Sequence, residues 1–572
     1  MSALRKLAYI FNSRQKRQFV VLFLVLFIGS LLELGGVTMI IPVVQAMTEP
    51  DKLLNSEFVR PLLRWFGVTD AQRLLLLLLG AMMVLFVVKN AYLIGMTYLQ
   101  YQILWHNQLR MEKEVMSVYI HKPYSFHKTK NTAELQRTIL ADIGNVFTVL
   151  DNSFMLLSDL ITCGMLVILL FRTSKSLTVM AVGALGLFLL AYFRVFKRRL
   201  YQYGRLGQQY GAGSVQCINQ AFGGIKEIKI SGCEEYFVEE YRDVRSRQIS
   251  MMKRGRFFQL TPKYVLEAVC IVGVLVPLCY QILFGVQAAN LFAELAVFAM
   301  AAFKLLPSVN KISSETAFIL NNRASIDLIY DVMQETRAKD VEREEEALAT
   351  PERGEIRLDR VSFRYEDGDK MILDQVDIAI QPGASVAFVG PSGAGKTTTA
   401  DLILGIMKPS DGRITYGGIE LDKLGRNWFS KIGYIPQSIY LSDDTIRNNI
   451  AFGVHAVDDA KVWKALEGAQ LADFVRSSEA GLDTLIGEGG VRISGGQRQR
   501  IGIARALYHD PEIMVLDEAT SALDNETEKA VMESIDCMKG RKTLIIIAHR
   551  LTTIENCDEV YEIKDGKATK IR

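Results

Sequence analysis

Apolar residues in this chain come in two textures. Through the first half they form unbroken runs, at about 19–46, 74–102, 147–171, 177–196, 264–284 and 289–309. A hydrocarbon core needs roughly 20 helical residues, so each run predicts a membrane-spanning helix. Only "RTSKS" separates the third run from the fourth, and a few small residues near "GVQAAN" separate the fifth from the sixth. The connections 103–146 and 197–263 are long, rich in lysine and arginine, and keep an apolar helical period. They predict spanning helices that continue well beyond the bilayer. Because the basic residues gather in these connections and at the N-terminus, both termini are expected on the cytoplasmic side.

The second texture begins near Glu355. Short β-rich stretches, "EIRLDRVSFRY", "ASVAFVG", "EIMVLDEAT" and "KTLIIIAHR", alternate with helical segments, which predicts an α/β domain with a largely parallel core sheet. The expected organisation is an all-α polytopic membrane domain over 1–330, a charged linker over 331–354 and a soluble α/β domain over 355–572. One stretch fits neither texture. In "EPDKLLNSEFVRPLLRWFGVTD", Leu54, Phe58, Leu62 and Phe66 recur every fourth residue, while Pro61 breaks a single rod into two short helical pieces. The charge pattern puts this apolar insert on the outer face, where it could hold a lipid tail or pack against span ends.

Composition agrees with a membrane half joined to a soluble half. The 572 residues are 49% hydrophobic and 23% charged, with a net charge of +3 and a mean hydropathy of +0.16. So small a net charge gives no reason to expect nucleic acid as a partner. The seven cysteines are scattered and form no CxxC pair, which fits a reducing cytoplasm and argues against a disulfide framework or a zinc site. The basic N-terminal stretch leads into an apolar run too long for a cleavable signal and is read as an interfacial helix before a retained span.

Candidate chemistry sits in the second half. "GPSGAGKTT", comprising Gly390, Pro391, Ser392, Gly393, Ala394, Gly395, Lys396, Thr397 and Thr398, fits G-x-x-x-x-G-K-[ST] between a strand and a helix. Glycines let backbone N–H groups curl around phosphate oxygens, and the helix N-terminus adds partial positive charge. Lys396 is expected to reach the β- and γ-phosphates, and the Thr397 hydroxyl to ligate Mg²⁺. In "IMVLDEAT", Asp517 is placed to hold Mg²⁺ and Glu518 to orient or deprotonate an attacking water.

The stretch "ISGGQRQRIGIARAL" narrows this further. Ser494, Gly495, Gly496 and Gln497, between the phosphate loop and the acidic strand, resemble the signature of the ABC ATPases. Other elements follow in the family's order. Tyr365 in "VSFRY" resembles the adenine-stacking tyrosine, and Gln437 in "YIPQS" the glutamine that senses Mg²⁺. Asp524, ending "SALD", resembles the D-loop aspartate, and His549 in "IIAHR" the γ-phosphate switch histidine. Six spans followed by one such domain resemble the half-transporter exporters of this class. The resemblance implies ATP and Mg²⁺ as cofactors, ATP hydrolysis coupled to translocation, and a homodimer in which each copy's signature completes the other's ATP site. It also implies a multi-pass protein of the inner (cytoplasmic) membrane with its ATPase domain in the cytoplasm. "HKPYSFHKTKNTAEL" and "GIKEIKISGCEEYFVEEY" resemble the two coupling regions.

Cargo is addressed by charges within the spans, where a lysine costs several kcal/mol unless it faces protein or water. Lys89, Lys263 and Lys304 are candidate substrate contacts; facing inward, they would double across a dimer into a ring suited to pyrophosphate. Pairing with Glu33, Asp159, Glu267 or Glu294, or snorkelling, is the alternative. "GIKEIKI", "KLLPSVNKI" and the apolar insert look like the lipid-linked oligosaccharide flippases of the PglK type. That resemblance implies a polyprenyl-pyrophosphate-linked oligosaccharide carried to the outer leaflet, with a multidrug or general lipid exporter as the other reading.

Overall fold

The computed structural model describes residues 3–39, 42–43, 46–47, 70–173, 175–283, 306–340, 348–365, 370–518, 525–548 and 554–572. The chain forms two compact units, Met1–Lys122 with Thr129–Val341, and Pro123–Lys128 with Glu342–Arg572. The apolar insert before Asp70, Lys304, Asp524 and His549 lie outside the described residues.

Among its described residues, the first unit is built of helices. Ser13–Thr38, Ala71–Ile120, Ile143–Thr173, Lys175–Gly223 and Glu234–Leu283 are its long helices. At 1.5 Å per residue, the 50 residues of Ala71–Ile120 extend about 75 Å, more than twice a hydrocarbon core, as the periodicity of the basic connections predicts. Among the described residues, Ser13–Gly36, Ala71–Ile120 and Thr132–Ile168 are long and apolar enough to cross a bilayer. The fourth and fifth apolar runs fall within Lys175–Gly223 and Glu234–Leu283, and most of the sixth lies outside the described residues. Met83, Val84, Val87 and Ile94 are 63–72% exposed, a display that water would penalise and lipid tails would not. Arg323–Asp340 is helical, so the stretch read as linker opens inside a helix.

Polar contacts hold these helices in register. Ser30 and Ser158 hydroxyls lie 2.9 Å apart, Gln100 donates to Asp151 at 2.6 Å, and Asn107 donates to Gln18 at 3.0 Å. The densest node is Asp142, 1% exposed, at the end of a π-helical turn, Thr138–Asp142. Its carboxylate accepts from Arg137 Nε at 3.0 Å, Gln208 Nε2 at 2.6 Å and Ser325 Oγ at 2.9 Å, tying three helical segments together. A buried carboxylate is tolerated only with such a complete set of donors.

Among its described residues, the second unit contains two sheets. Strands β1 (Ile356–Phe363), β2 (Leu373–Ile380), β4 (Asp411–Tyr416) and β5 (Ile419–Glu420) form an antiparallel sheet in the order β2-β1-β4-β5. Strands β3 (Ser385–Val389), β6 (Ile432–Ile435), β7 (Ile513–Asp517), β8 (Thr543–Ile547), β9 (Glu559–Lys564) and β10 (Lys567–Lys570) form a sheet ordered β10-β9-β3-β8-β7-β6. It is parallel apart from the β9–β10 pair. Strands β3, β7 and β8 are near-continuous apolar runs buried along almost their whole length, as expected when a parallel sheet is covered on both faces. One core cluster, including Leu441, Leu466, Ile501 and Leu516, packs one side; another, including Phe388, Leu402, Trp428 and Ile545, packs the other.

Candidate nucleotide site

Register brings the loops that follow β3, β6 and β7, and with them Lys396, Gln437 and Glu518, to one end of the sheet. Phe388 on β3 and Asp517 on β7 both lie level with Ile547 on β8, and Leu516 lies level with Ile435 on β6. The loops after β3, β6 and β7 therefore open on the same rim, at the carboxyl ends of parallel strands, where α/β sheets present their sites.

The loop after β3 is the glycine-rich turn. Gly390 has φ 142°, and a Cβ there would meet the Ile563 carbonyl oxygen at 2.1 Å, so this close approach requires glycine. Gly395, at φ 106°, precedes the helix Lys396–Ile403. Lys396 is 5% exposed, and its Nζ donates to the carbonyls of Gly390 at 2.9 Å and Pro391 at 3.1 Å. The ammonium is thus held inside the loop, facing the concavity where phosphate oxygens could replace those carbonyls.

The two acids follow β7. Asp517 is 5% exposed; burial, the neighbouring Glu518 charge and Asp401 push its pKa up to about 6, opposed by the Thr397 hydroxyl and by Lys396. A buried acid crowded by two others, bonded to the Thr397 hydroxyl, is a position that a divalent cation would relieve. Glu518 has φ 50°, an uncommon conformation for a non-glycine residue, and accepts a hydrogen bond from Gln437 Nε2 at 2.6 Å. Gln437 follows β6, so two separate loops fix this carboxylate. Tyr365 follows β1, and its hydroxyl lies 3.1 Å from Thr398 Oγ1.

Ser494 begins the helix Gly495–Leu507. Its Oγ accepts from the Gln497 backbone N–H at 3.2 Å, and its own N–H donates to Gln497 Oε1 at 2.9 Å. This is a capping box, and the S-x-x-Q spacing carried that signal beside the family signature. Among the described residues, no hydrogen bond or ion pair joins Ser494–Gln497 to the phosphate loop. The expectations for Asp524 and His549 fall outside the described residues.

Two residues beside the site were not singled out from sequence. Asp401, 5% exposed on the phosphate-loop helix, pairs with Lys128 at 3.7 Å, and Lys128 Nζ lies 3.5 Å from the Tyr365 hydroxyl. Lys128 lies in the stretch that resembles a coupling region, but nothing there singles out this lysine or names Asp401 and Tyr365 as its partners.

In the membrane unit, Lys89 is half-buried, with its Nζ 4.6 Å from the Phe86 ring centroid. A Cβ on Gly36 would sit 3.6 Å from its Cδ, so the stem lies along Ser13–Thr38. Lys263 is exposed. No contact joins these two lysines among the described residues, and it is Lys311, not Lys89, that approaches Asp159, at 3.9 Å.

A helical membrane unit followed by an α/β unit with this rim defines a transporter driven by a nucleotide-binding domain. The chain matches the family models "ABC transporter transmembrane region" over residues 39–260 and "ABC transporter" over 373–521. It belongs to the ABC transporter family, as an exporter-type half-transporter: a multi-pass membrane protein that binds ATP and couples its hydrolysis to translocation. Similar proteins include the "ATP-dependent lipid A-core flippase" of Cupriavidus pinatubonensis, 30% identical over 81% of this chain and 78% of the relative. The protein of that name from Saccharophagus degradans is 32% identical over 80% and 77%. The "Heterocyst differentiation ATP-binding protein HepA" of a Nostoc species is 30% identical over 80% and 75%. In fold the chain resembles a bacterial Atm1-family ABC exporter with ATP bound, with a TM-score of 0.77 and 21% identity, covering 98% of this chain and 95% of the other.

Proposed function

We propose that two copies of this chain form a flippase that moves a lipid-linked glycan from the cytoplasmic to the outer leaflet of the inner (cytoplasmic) membrane. Both ATPase domains would lie in the cytoplasm. The domain limits that go with this reading are 1–330, 331–354 and 355–572.

In the motor, the backbone of Gly390–Gly395 cradles the phosphates, and Lys396 exchanges the Gly390 and Pro391 carbonyls for phosphate oxygens. Thr397, Asp517 and Gln437 are the residues that would hold Mg²⁺; the raised pKa of Asp517 and its bond to Thr397 fit that role. The ion, when bound, neutralises charge on the transferring phosphoryl group. Glu518, fixed by Gln437, accepts the proton of the attacking water. In the capping box the Ser494 oxygen accepts from Gln497, which leaves its hydroxyl proton to donate to a phosphate across the dimer. Tyr365 stacks on the base, Thr398 contacts phosphate, and Asp524 and His549 complete the site across the interface and at the γ-phosphate.

Lys89 is the observation that carries the cargo reading. It is a half-buried cation in an apolar helix, with no carboxylate partner among the described residues. With Lys263 and Lys304 it supplies positive charge suited to a phosphorylated headgroup. The relatives named for lipid A-core support an amphiphilic cargo and favour, as a second reading, a lipid A-core-like glycolipid over a polyprenyl-pyrophosphate-linked oligosaccharide. The test is ATPase stimulation in reconstituted vesicles by polyprenyl-pyrophosphate glycans, lipid A-core, phospholipids and drugs. Stimulation by the first alone supports the oligosaccharide, and by the second alone the glycolipid. Stimulation by diverse amphiphiles without preference rejects both in favour of a general exporter.

A further inference from the structure

Beside the phosphate loop, two side chains that the motor reading does not use, Lys128 and Asp401, cluster with Tyr365, which it does. Lys128 belongs to Pro123–Lys128, the short stretch between the second and third apolar runs that is compact with the ATPase unit. Its Nζ lies 3.7 Å from the Asp401 carboxylate, 3.5 Å from the Tyr365 hydroxyl and 5.1 Å from the centroid of the Tyr365 ring. Tyr124, on the same short segment, offers a second ring at 5.5 Å. Asp401 sits one helical turn beyond Thr398 and is 5% exposed. A carboxylate so buried needs a counter-charge, and the ammonium of Lys128 supplies it. The Tyr365 hydroxyl is meanwhile bonded to Thr398 at 3.1 Å. The ring assigned to the base is thus held by the chain itself, while the Thr398 hydroxyl, engaged through one hydrogen-bonding position, keeps another for a phosphate.

We infer that Lys128 is a positioning residue that latches the base platform: anchored by Asp401, it holds Tyr365 against Thr398, and an adenine base must displace it to stack. This inference rests on reading Tyr365 as the base platform. A cation over a ring and an aromatic base both seek its π-face, so each is bound at the expense of the other. The cost falls on ligands that carry a base and spares those that present phosphates alone. Coupling between two binding events is reciprocal. A movement that draws Pro123–Lys128 away from Tyr365 therefore tightens ATP binding, and ATP binding loosens that segment.

The test uses the full-length protein in lipid nanodiscs. Lys128→Met combined with Asp401→Asn removes both charges, so no buried acid is left unpaired. The KM for ATP is expected to fall about threefold while kcat stays within about twofold. Lys128→Arg, which keeps the cation, retains the wild-type KM. Lys128→Gln alone provides a second variant with the same expected sign as the double variant. Inhibition by inorganic tripolyphosphate, which lacks a base, does not change. An unchanged or raised KM for ATP in both charge-removing variants overturns the latch, as does an equal tightening of tripolyphosphate. Tyr365→Ala separates the two readings. If it raises the KM for ATP while the Lys128 variants do nothing, the latch alone fails; if it leaves the KM unchanged, the platform falls and takes the latch with it.

Discussion

The two units place their charged groups in different ways. In the ATPase unit, Lys396, Asp517, Glu518 and Gln437 gather at one sheet rim, each held by a partner on the loops that carry them. In the membrane unit, polar side chains are strung along helices of up to 50 residues and meet in pairs: Ser30 with Ser158, Gln100 with Asp151, Asn107 with Gln18. A parallel sheet brings its strand ends together whatever the sequence between them. Helices bring two residues together only where their rotation and offset agree. Chemistry is therefore concentrated in the ATPase unit and distributed in the membrane unit.

The largest expected effect is at the rim. Glu518→Gln should lower ATP hydrolysis by about 10²- to 10³-fold while retaining ATP binding, read as phosphate release against trapped nucleotide. Hydrolysis near the wild-type rate would place the base elsewhere and break the contrast between the units. Asp142→Ala asks whether the membrane unit also has a concentrated node. It leaves Arg137, Gln208 and Ser325 without their acceptor, so a loss of about 3 kcal/mol is expected, measured by thermal unfolding in detergent. A loss below about 1 kcal/mol would make that node as dispersed as its neighbours. Lys89→Ala with Lys304→Ala is expected to reduce the ratio of glycolipid-stimulated to basal ATPase severalfold, about 1 kcal/mol in coupling. An unchanged ratio would remove these lysines from the cargo path. The smallest effect belongs to the capping box: Gln497→Ala should cost about 0.5–1 kcal/mol in domain stability, read as a modest fall in Tm.

This contrast also explains what could be read from the chain alone. Gly390–Thr398 and Asp517–Glu518 are contiguous motifs whose geometry is set by the strand each follows, so spacing sufficed to nominate them. Tyr365 and Gln437 follow strands of two different sheets, and family order rather than spacing drew them in. The capping function of Ser494 and Gln497 was present in a four-residue spacing but masked by their place in the family signature. Asp142 could not be found this way, because two of its three partners lie 66 and 183 residues away on other helices. Lys128 meets Tyr365 across 237 residues, and although its stretch resembles a coupling region, nothing there sets this lysine apart from its basic neighbours. Helical periodicity did foretell the long extensions beyond the bilayer. It gave no rotation for the helices, and that is why charge alone nominated Lys89, Lys263 and Lys304.

Glu518 carries a cost of its own. An L-residue at φ 50° spends about 1 kcal/mol that glycine or asparagine would largely recover. Selection for thermal robustness alone would therefore favour losing this carboxylate, and a library screened for stability should return such substitutions early. If Glu518 is the base proposed above, each would be a sturdier protein and an inert pump. Anyone hardening this transporter for handling should hold position 518 fixed, because here sturdiness and turnover pull in opposite directions.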